Sequence, residues 1–357
     1  MLLGMQALLL TAPGVLELMD LPRPDPGPGE VRIRVAACGI CGSDVHGYTG
    51  ETGRRIPPLV MGHEAAGTVE AVGAGVTDLG PGDRVALDST VFCGHCEFCR
   101  TGRENLCGSR EVLGVSCGTY RRHGCFAESV VLPRRGVYRL PDQLDFVSAA
   151  LLEPLTIALH AAGLGGAGPD TRSAVVVGCG MIGLASIAAL RARGVPRIAA
   201  IDVDPARLVA AARQGATETF AAPPGGDDRG AGQRAAEWAA AASADADGAD
   251  LVIEAVGTTA SVQTAITAAA RGGRVVLVGN VSPRIELPLQ QVVTRQISLL
   301  GSCASAGCYP EAIRLAATGV VNLAGFGSRV APLTEGPEWF ERLRRREPGL
   351  VKVVLEP

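Results

Sequence analysis

Apolar and charged positions alternate through Val31-Arg32-Ile33-Arg34-Val35, the period-two pattern of a strand with one face on a core. Residues 5–20 read as an earlier strand. Between the two, Leu21-Pro22-Arg23-Pro24-Asp25-Pro26-Gly27-Pro28-Gly29 must be a surface connection, because proline removes ladder donors. From residue 60 to 90 short β-like runs alternate with glycine turns such as Gly80-Pro81-Gly82-Asp83, so residues 1–150 predict a mainly β domain. Near residue 155 the texture changes. The apolar run Ala174-Val175-Val176-Val177 suits a strand buried on both faces; a glycine-rich turn and an alanine-rich helix over 183–193 follow. Further strands are expected at 197–203, 251–254 and 275–278, a helix at 205–214 and a loop at 221–230. Strands alternating with helices mean a parallel sheet. Beyond about residue 300 the alternation stops, and residues 351–355 read as a last strand.

Length changes this picture little: 357 residues suit about two domains. A net charge of −3 argues against a nucleic-acid partner. No apolar run reaches the length of a membrane span, and the apolar start has no positive flank of a signal peptide, so a cytoplasmic protein is expected. The basic residues are nearly all arginine. Lys352 is the only lysine, and its place near the C-terminus argues against Schiff-base chemistry. Eleven cysteines without a secretory signal do not suggest disulfides, and six of them fall between Cys38 and Cys107, which points to metal or catalysis.

Three motifs carry chemistry. Cys93, Cys96, Cys99 and Cys107 can surround one Zn²⁺ tetrahedrally in a closed, structural site, with an iron–sulfur cluster the rival on spacing alone. Cys38-Gly39-Ile40-Cys41-Gly42-Ser43-Asp44-Val45-His46, followed by Gly62-His63-Glu64, contains a C-x-x-C but no thioredoxin-like surroundings. Cys41 and His63 fit better as ligands of a catalytic metal, completed by a nearby carboxylate. Gly178-Cys179-Gly180-Met181-Ile182-Gly183 lies between a strand and a helix, and Asp202 ends the next strand nineteen residues later. That is a dinucleotide fingerprint: glycines let backbone N–H groups reach a pyrophosphate, and the acid receives the adenosine ribose.

These motifs, with Leu152-Glu153-Pro154-Leu155 and Val278-Gly279, resemble from end to end the zinc-containing medium-chain dehydrogenase/reductase family, and most of all its polyol branch. The resemblance implies an α/β plus β protein. A GroES-like β domain would occupy residues 1–154, with 300–357 returning to it, and a Rossmann-type doubly wound parallel-sheet domain residues 155–299. It implies two zinc ions per chain and NAD, with a small-molecule alcohol as substrate and a homodimer or homotetramer as the assembly. The activity would be hydride transfer between NAD and a secondary alcohol of a polyol or sugar alcohol; a threonine, 2,3-diol or cyclitol substrate is the alternative. The catalytic zinc would be held by Cys41, His63 and either Glu64 or Glu153, and would act as a Lewis acid on the substrate oxygen. Ser43 would pass the proton toward His46, a residue type that exchanges protons near neutral pH, while Asp44 orients His63. Gly178, Gly180, Met181, Ile182, Gly183, Asp202, Arg207, Val256, Val278 and Gly279 would hold the cofactor. Arg54 and Arg55 are candidates for binding a substrate phosphate, and alternating Arg284-Ile285-Glu286-Leu287-Pro288-Leu289 for an edge strand in oligomer contacts.

Overall fold

A computed structural model describes residues 4–223, 229–242 and 245–357. Residues 224–228 of the expected loop at 221–230 thus lie outside the described residues, while Ala221 ends a strand and Arg229 starts a helix. The chain divides into two units. One comprises Met1–Glu153, Tyr309–Ala317 and Gly327–Pro357; the other comprises Pro154–Cys308 and Thr318–Phe326. Of the C-terminal region expected to return to the first unit, residues 300–308 and 318–326 belong to the second. In residues 318–326 the apolar side chains Val321, Leu323 and Phe326 are buried.

The first unit is built on antiparallel strands. Residues 5–20 do not form one strand. Pro13 and Gly14, the latter at φ +77°, fold them into a hairpin of Gly4–Ala12 with Val15–Pro22. A seven-stranded sheet centres on Glu30–Gly39, which pairs with Glu64–Val72, Ser129–Pro133 and the terminal strand Lys352–Glu356. The apolar half of the alternation, Val31, Ile33 and Val35, faces a core that includes Leu8, Phe126 and Phe340. Two pairings decide where the chemistry lies. Glu64 sits opposite Gly39, and Val354 of the last strand sits opposite Gly39 from the other side.

The second unit contains a six-stranded, all-parallel sheet. Its strands in chain order are Ser173–Val177, Arg197–Asp202, Glu218–Ala221, Ala249–Glu254, Ala269–Leu277 and Ser298–Gly301. Their spatial order is third, second, first, fourth, fifth, sixth. This is the doubly wound arrangement, and it places the topological switch point between Ser173–Val177 and Ala249–Glu254, where such sheets bind ligands. The first strand is buried at all five positions, as its unbroken apolar run requires. Residues 284–289 form no strand. Their alternation leaves Ile285, Leu287 and Leu289 exposed with no ladder partner, and a helix begins at Leu289.

Candidate active site and metal centres

The first centre forms where the strand Glu30–Gly39 ends. Cys41 caps the short helix Gly42–Tyr48, and its backbone N–H donates to Asp44 Oδ2 at 3.3 Å, which fixes the turn. Across the sheet, His63 and Glu64 open the strand Glu64–Val72. Ligand atoms of Cys41, His63 and Glu64 lie within 4.8 Å of one another, with Cys41 half-buried and the other two buried. A thiolate, an imidazole and a carboxylate make a donor set that suits zinc, so the residues present fit that ion. Glu153, at the start of the helix Leu152–Leu164, is not in this group of three, although its carboxyl interacts with Glu64. Burial and then the Glu64 carboxylate push its pKa up to about 8.

Asp44 organises the surroundings. It is fully buried, and Arg55 meets its Oδ1 with Nη2 at 2.8 Å and Nε at 3.2 Å. His63 Nδ1 lies 3.4 Å from the same oxygen, on the far side of the ring from Nε2. The ring is thereby oriented with Nε2 left for a metal. Burial alone would raise the Asp44 pKa, but the charges of His63 and Arg55 outweigh it and hold the carboxyl well below its usual range. Conversely, burial disfavours a charged His63, while Asp44 and Cys41 overcome it and raise the imidazole well above its ordinary value. Ser43 Oγ is 3.5 Å from His63 Nε2 and 3.4 Å from Arg55 Nη2. His46 is exposed in the last turn of the same helix.

Two cations here were misread or unread in the sequence. Arg55 is not a phosphate-binding loop residue: its side chain is 5% exposed and committed to Asp44. Gly47 makes this possible, because a Cβ there would overlap the Arg55 stem. Arg54 does stay exposed. Lys352, dismissed for its position in the chain, lies buried against Glu64 with Nζ donating to Ile40 O at 3.0 Å. The helical glycine was the available signal for Arg55; nothing local signalled Lys352.

The second centre gathers Cys93, Cys96, Cys99 and Cys107 with all four sulfurs within 4.8 Å of one another. Zn–S bonds of about 2.3 Å to tetrahedral corners require sulfurs about 3.8 Å apart. Cys93 and Cys99 are 3.8 Å apart and Cys96 and Cys99 3.4 Å, so the lobe fits zinc. All eleven cysteines are free thiols. Backbone N–H groups of His95 and then Cys96 pull the Cys93 pKa down to about 6. Desolvation and the crowding thiols push Cys99 up to about 12. Such opposed proton affinities among four close sulfurs are what a divalent cation would level.

In the second unit the glycine turn sits at the switch point. Gly180 caps the helix Met181–Ala192, so Met181, Ile182 and Gly183 form its first turn. A Cβ on Gly183 would overlap the carbonyl oxygen of Gly178, and one on Gly279 would overlap the backbone of Val256 and Gly257. These glycines let the strand ends pack closely and leave helix N–H groups open to an anion. Asp202 ends the second strand, 7% exposed. Its two oxygens accept from Cys179 N at 2.6 Å and Asp204 N at 2.8 Å, which ties it to the turn. Arg207 lies 3.7 Å from Asp204 on the following helix. Val278 N–H donates to the backbone carbonyl of Glu254, a buried acid unforeseen in the sequence whose carboxylate accepts from Val256 N and Gly257 N.

Comparison with known proteins agrees with this geometry. Residues 27–142 match the alcohol dehydrogenase GroES-like domain, and residues 182–318 match the zinc-binding dehydrogenase model. Sorbitol dehydrogenase of Bacillus subtilis (strain 168) is 33% identical over 359 residues, covering 99% of this chain and 98% of that protein. An alcohol dehydrogenase from E. coli CFT073, solved with NADH, superposes with a TM-score of 0.88 at 29% identity over 99% of both chains. A zinc-binding dehydrogenase from Sinorhizobium meliloti 1021, bound to NADP, gives 0.86 at 31% identity over 99% of this chain and all of that one. The chain therefore belongs to the zinc-containing medium-chain dehydrogenase/reductase family, in its polyol oxidoreductase branch.

Proposed function

We propose that this protein transfers hydride between NAD and a secondary hydroxyl of a polyol, sugar alcohol or related hydroxy compound. One zinc would be held by Cys41, His63 and a carboxylate, and a second by Cys93, Cys96, Cys99 and Cys107. The observation that carries the reading is the convergence of Cys41, His63 and Glu64 on one spot beneath the Asp44–Arg55 pair. When bound, the zinc supplies Lewis acidity that lowers the pKa of the substrate hydroxyl, and the nicotinamide accepts the hydride.

The chain's own residues do the rest. Asp44 keeps His63 turned toward the metal, and Arg55 keeps Asp44 ionised. Ser43, beside His63 Nε2, would accept the substrate hydroxyl proton while its own proton passes on through the cofactor ribose toward His46. His46 is one helical turn further on, exposed, and releases the proton to water. Glu64 is the carboxylate that the geometry favours as the third ligand; Glu153 faces the same charges from the helix Leu152–Leu164.

NAD is favoured because Asp202 stands fixed at the end of the second strand, where it would oppose the 2′-phosphate of NADP. Asp204 adds little to that discrimination, since its carboxylate caps the helix Pro205–Arg213 by accepting from Ala206 N. The chain is also proposed to assemble as a homodimer or homotetramer. The exposed Leu289 and Val293, and the edge position of the strand Ser298–Gly301, support this. No helix of the described residues is long and apolar enough to cross a membrane.

The test is a panel of polyols, their phosphates and simple primary alcohols, followed by the absorbance of NADH. The reading expects turnover on at least one polyol, with primary alcohols poorer. Turnover confined to quinone or enone reduction would overturn it.

A further inference from the structure

Lys352 is the only lysine in a chain whose 33 Lys and Arg residues are otherwise all arginine, and its side chain is 2% exposed. It starts the terminal strand Lys352–Glu356, which reaches the centre of the sheet beside Gly39. There the ammonium touches both segments that carry the metal-binding side chains. It donates to the carbonyl of Ile40, the residue before Cys41, and it pairs with Oε2 of Glu64, the residue after His63. The slot between them exists because residue 39 is glycine. A Cβ at that position would overlap Glu64 Oε2 and stand 3.0 Å from Lys352 Cε. The slot holds a compact ammonium, a point charge on a flexible stem that differs from arginine's planar fork.

A carboxylate has two oxygens, and the ammonium occupies one of them. We propose that Lys352 is a positioning residue that fixes Glu64 as a one-oxygen ligand of the metal held by Cys41 and His63. This rests on the proposed zinc chemistry of that site. Groups that hold a metal-binding carboxylate in place commonly change metal affinity by about 10- to 100-fold when removed.

The test measures zinc dissociation by competition with a chromophoric chelator, using the zinc-loaded protein. The four-cysteine lobe serves as internal reference. Lys352→Met is expected to weaken the Cys41–His63 zinc by about 10- to 100-fold while the lobe keeps its ion. Lys352→Arg should not restore the affinity, and cobalt placed in the site should show an altered visible spectrum. In a Glu64→Gln background, Lys352→Met should have little further effect. Gly39→Ala keeps the lysine but fills the slot, and should weaken zinc in the same sense even if Lys352→Met fails to fold. Unchanged zinc affinity in Lys352→Met or in Gly39→Ala would overturn the proposal. So would an undiminished loss in the Glu64→Gln background. Wild-type protein holding only the lobe zinc would instead overturn the proposed function itself.

Discussion

Arg55→Met separates a structural cation from a substrate-binding one. Arg55 and Asp44 are almost wholly removed from water and joined by a two-pronged contact at 2.8 and 3.2 Å. Taking one partner from a buried pair leaves the other charged and unpaired, at a cost of about 3–5 kcal/mol. For a unit of this size each kcal/mol lowers Tm by about 2–4 °C, so a loss of about 10 °C is expected in the unit that contains the site. The pH dependence has a definite sign. Asp44 has a depressed folded pKa, so its contribution is present above the unfolded carboxylate value of about 3.9 and is lost as pH falls through the folded value. Without Arg55, burial is opposed only by His63 and the Cys41 N–H, and that loss moves to higher pH. Calorimetry of the zinc-loaded protein without substrate, at neutral pH and stepwise toward acid, would measure both effects. Arg55→Lys keeps a charge but not the fork and should fall between. A Tm within about 2 °C of wild type in Arg55→Met, or an unchanged acid profile, would rule out the structural role of Arg55 and leave a substrate phosphate as its partner.

Other consequences follow from the same geometry. Cys99 in the metal-free lobe holds its proton up to about pH 12, so zinc uptake must release it; apparent zinc affinity of the lobe should rise from pH 6 to pH 8, and a flat titration would contradict this. Removal of the lobe ion should lower thermal stability as well as slow turnover, which differential scanning with and without chelator would show. In cofactor use, kcat/KM with NAD should exceed that with NADP by at least about 10²-fold, and Asp202→Ser should shrink the ratio. That substitution also strips the acceptor from Cys179 N and Asp204 N, so a Tm loss should accompany it; equal use of both cofactors by wild type would refute the assignment. Light scattering at micromolar concentration should find a dimer or tetramer, and a monomer would refute the assembly.

The parts of the fold legible in the sequence were those set by local pattern. The buried strand Ser173–Val177, the turn from Gly178 to Gly183 and Asp202 lie within a few tens of residues, and their periodicity and glycines suffice. The four-cysteine lobe was legible for the same reason. Patterns without a partner misled. Residues 284–289 alternate like a strand, yet their apolar side chains face outward and no neighbouring strand receives their backbone. The surroundings of Cys41 were legible only as ligands, not as a charge network. Lys352 reaches Ile40 across 312 residues of chain through strand pairing that no spacing encodes. Arg55 sits in a glycine-flanked loop that looks solvated, and only the missing Cβ of Gly47 reveals where its side chain goes.

Cys41, with His63 and a carboxylate, is proposed to hold the zinc on which polyol oxidation by this chain depends. That role is tested most directly by measuring zinc per chain together with NADH formation in wild type, Cys41→Ser and Cys38→Ser. Cys38 lies buried in the core beside the site and outside the cluster of Cys41, His63 and Glu64. Two zinc ions are expected in wild type and in Cys38→Ser, with turnover in both. Cys41→Ser should hold one zinc, in the lobe, and produce no NADH. Full turnover in Cys41→Ser, or loss of activity in Cys38→Ser with both ions retained, would contradict it.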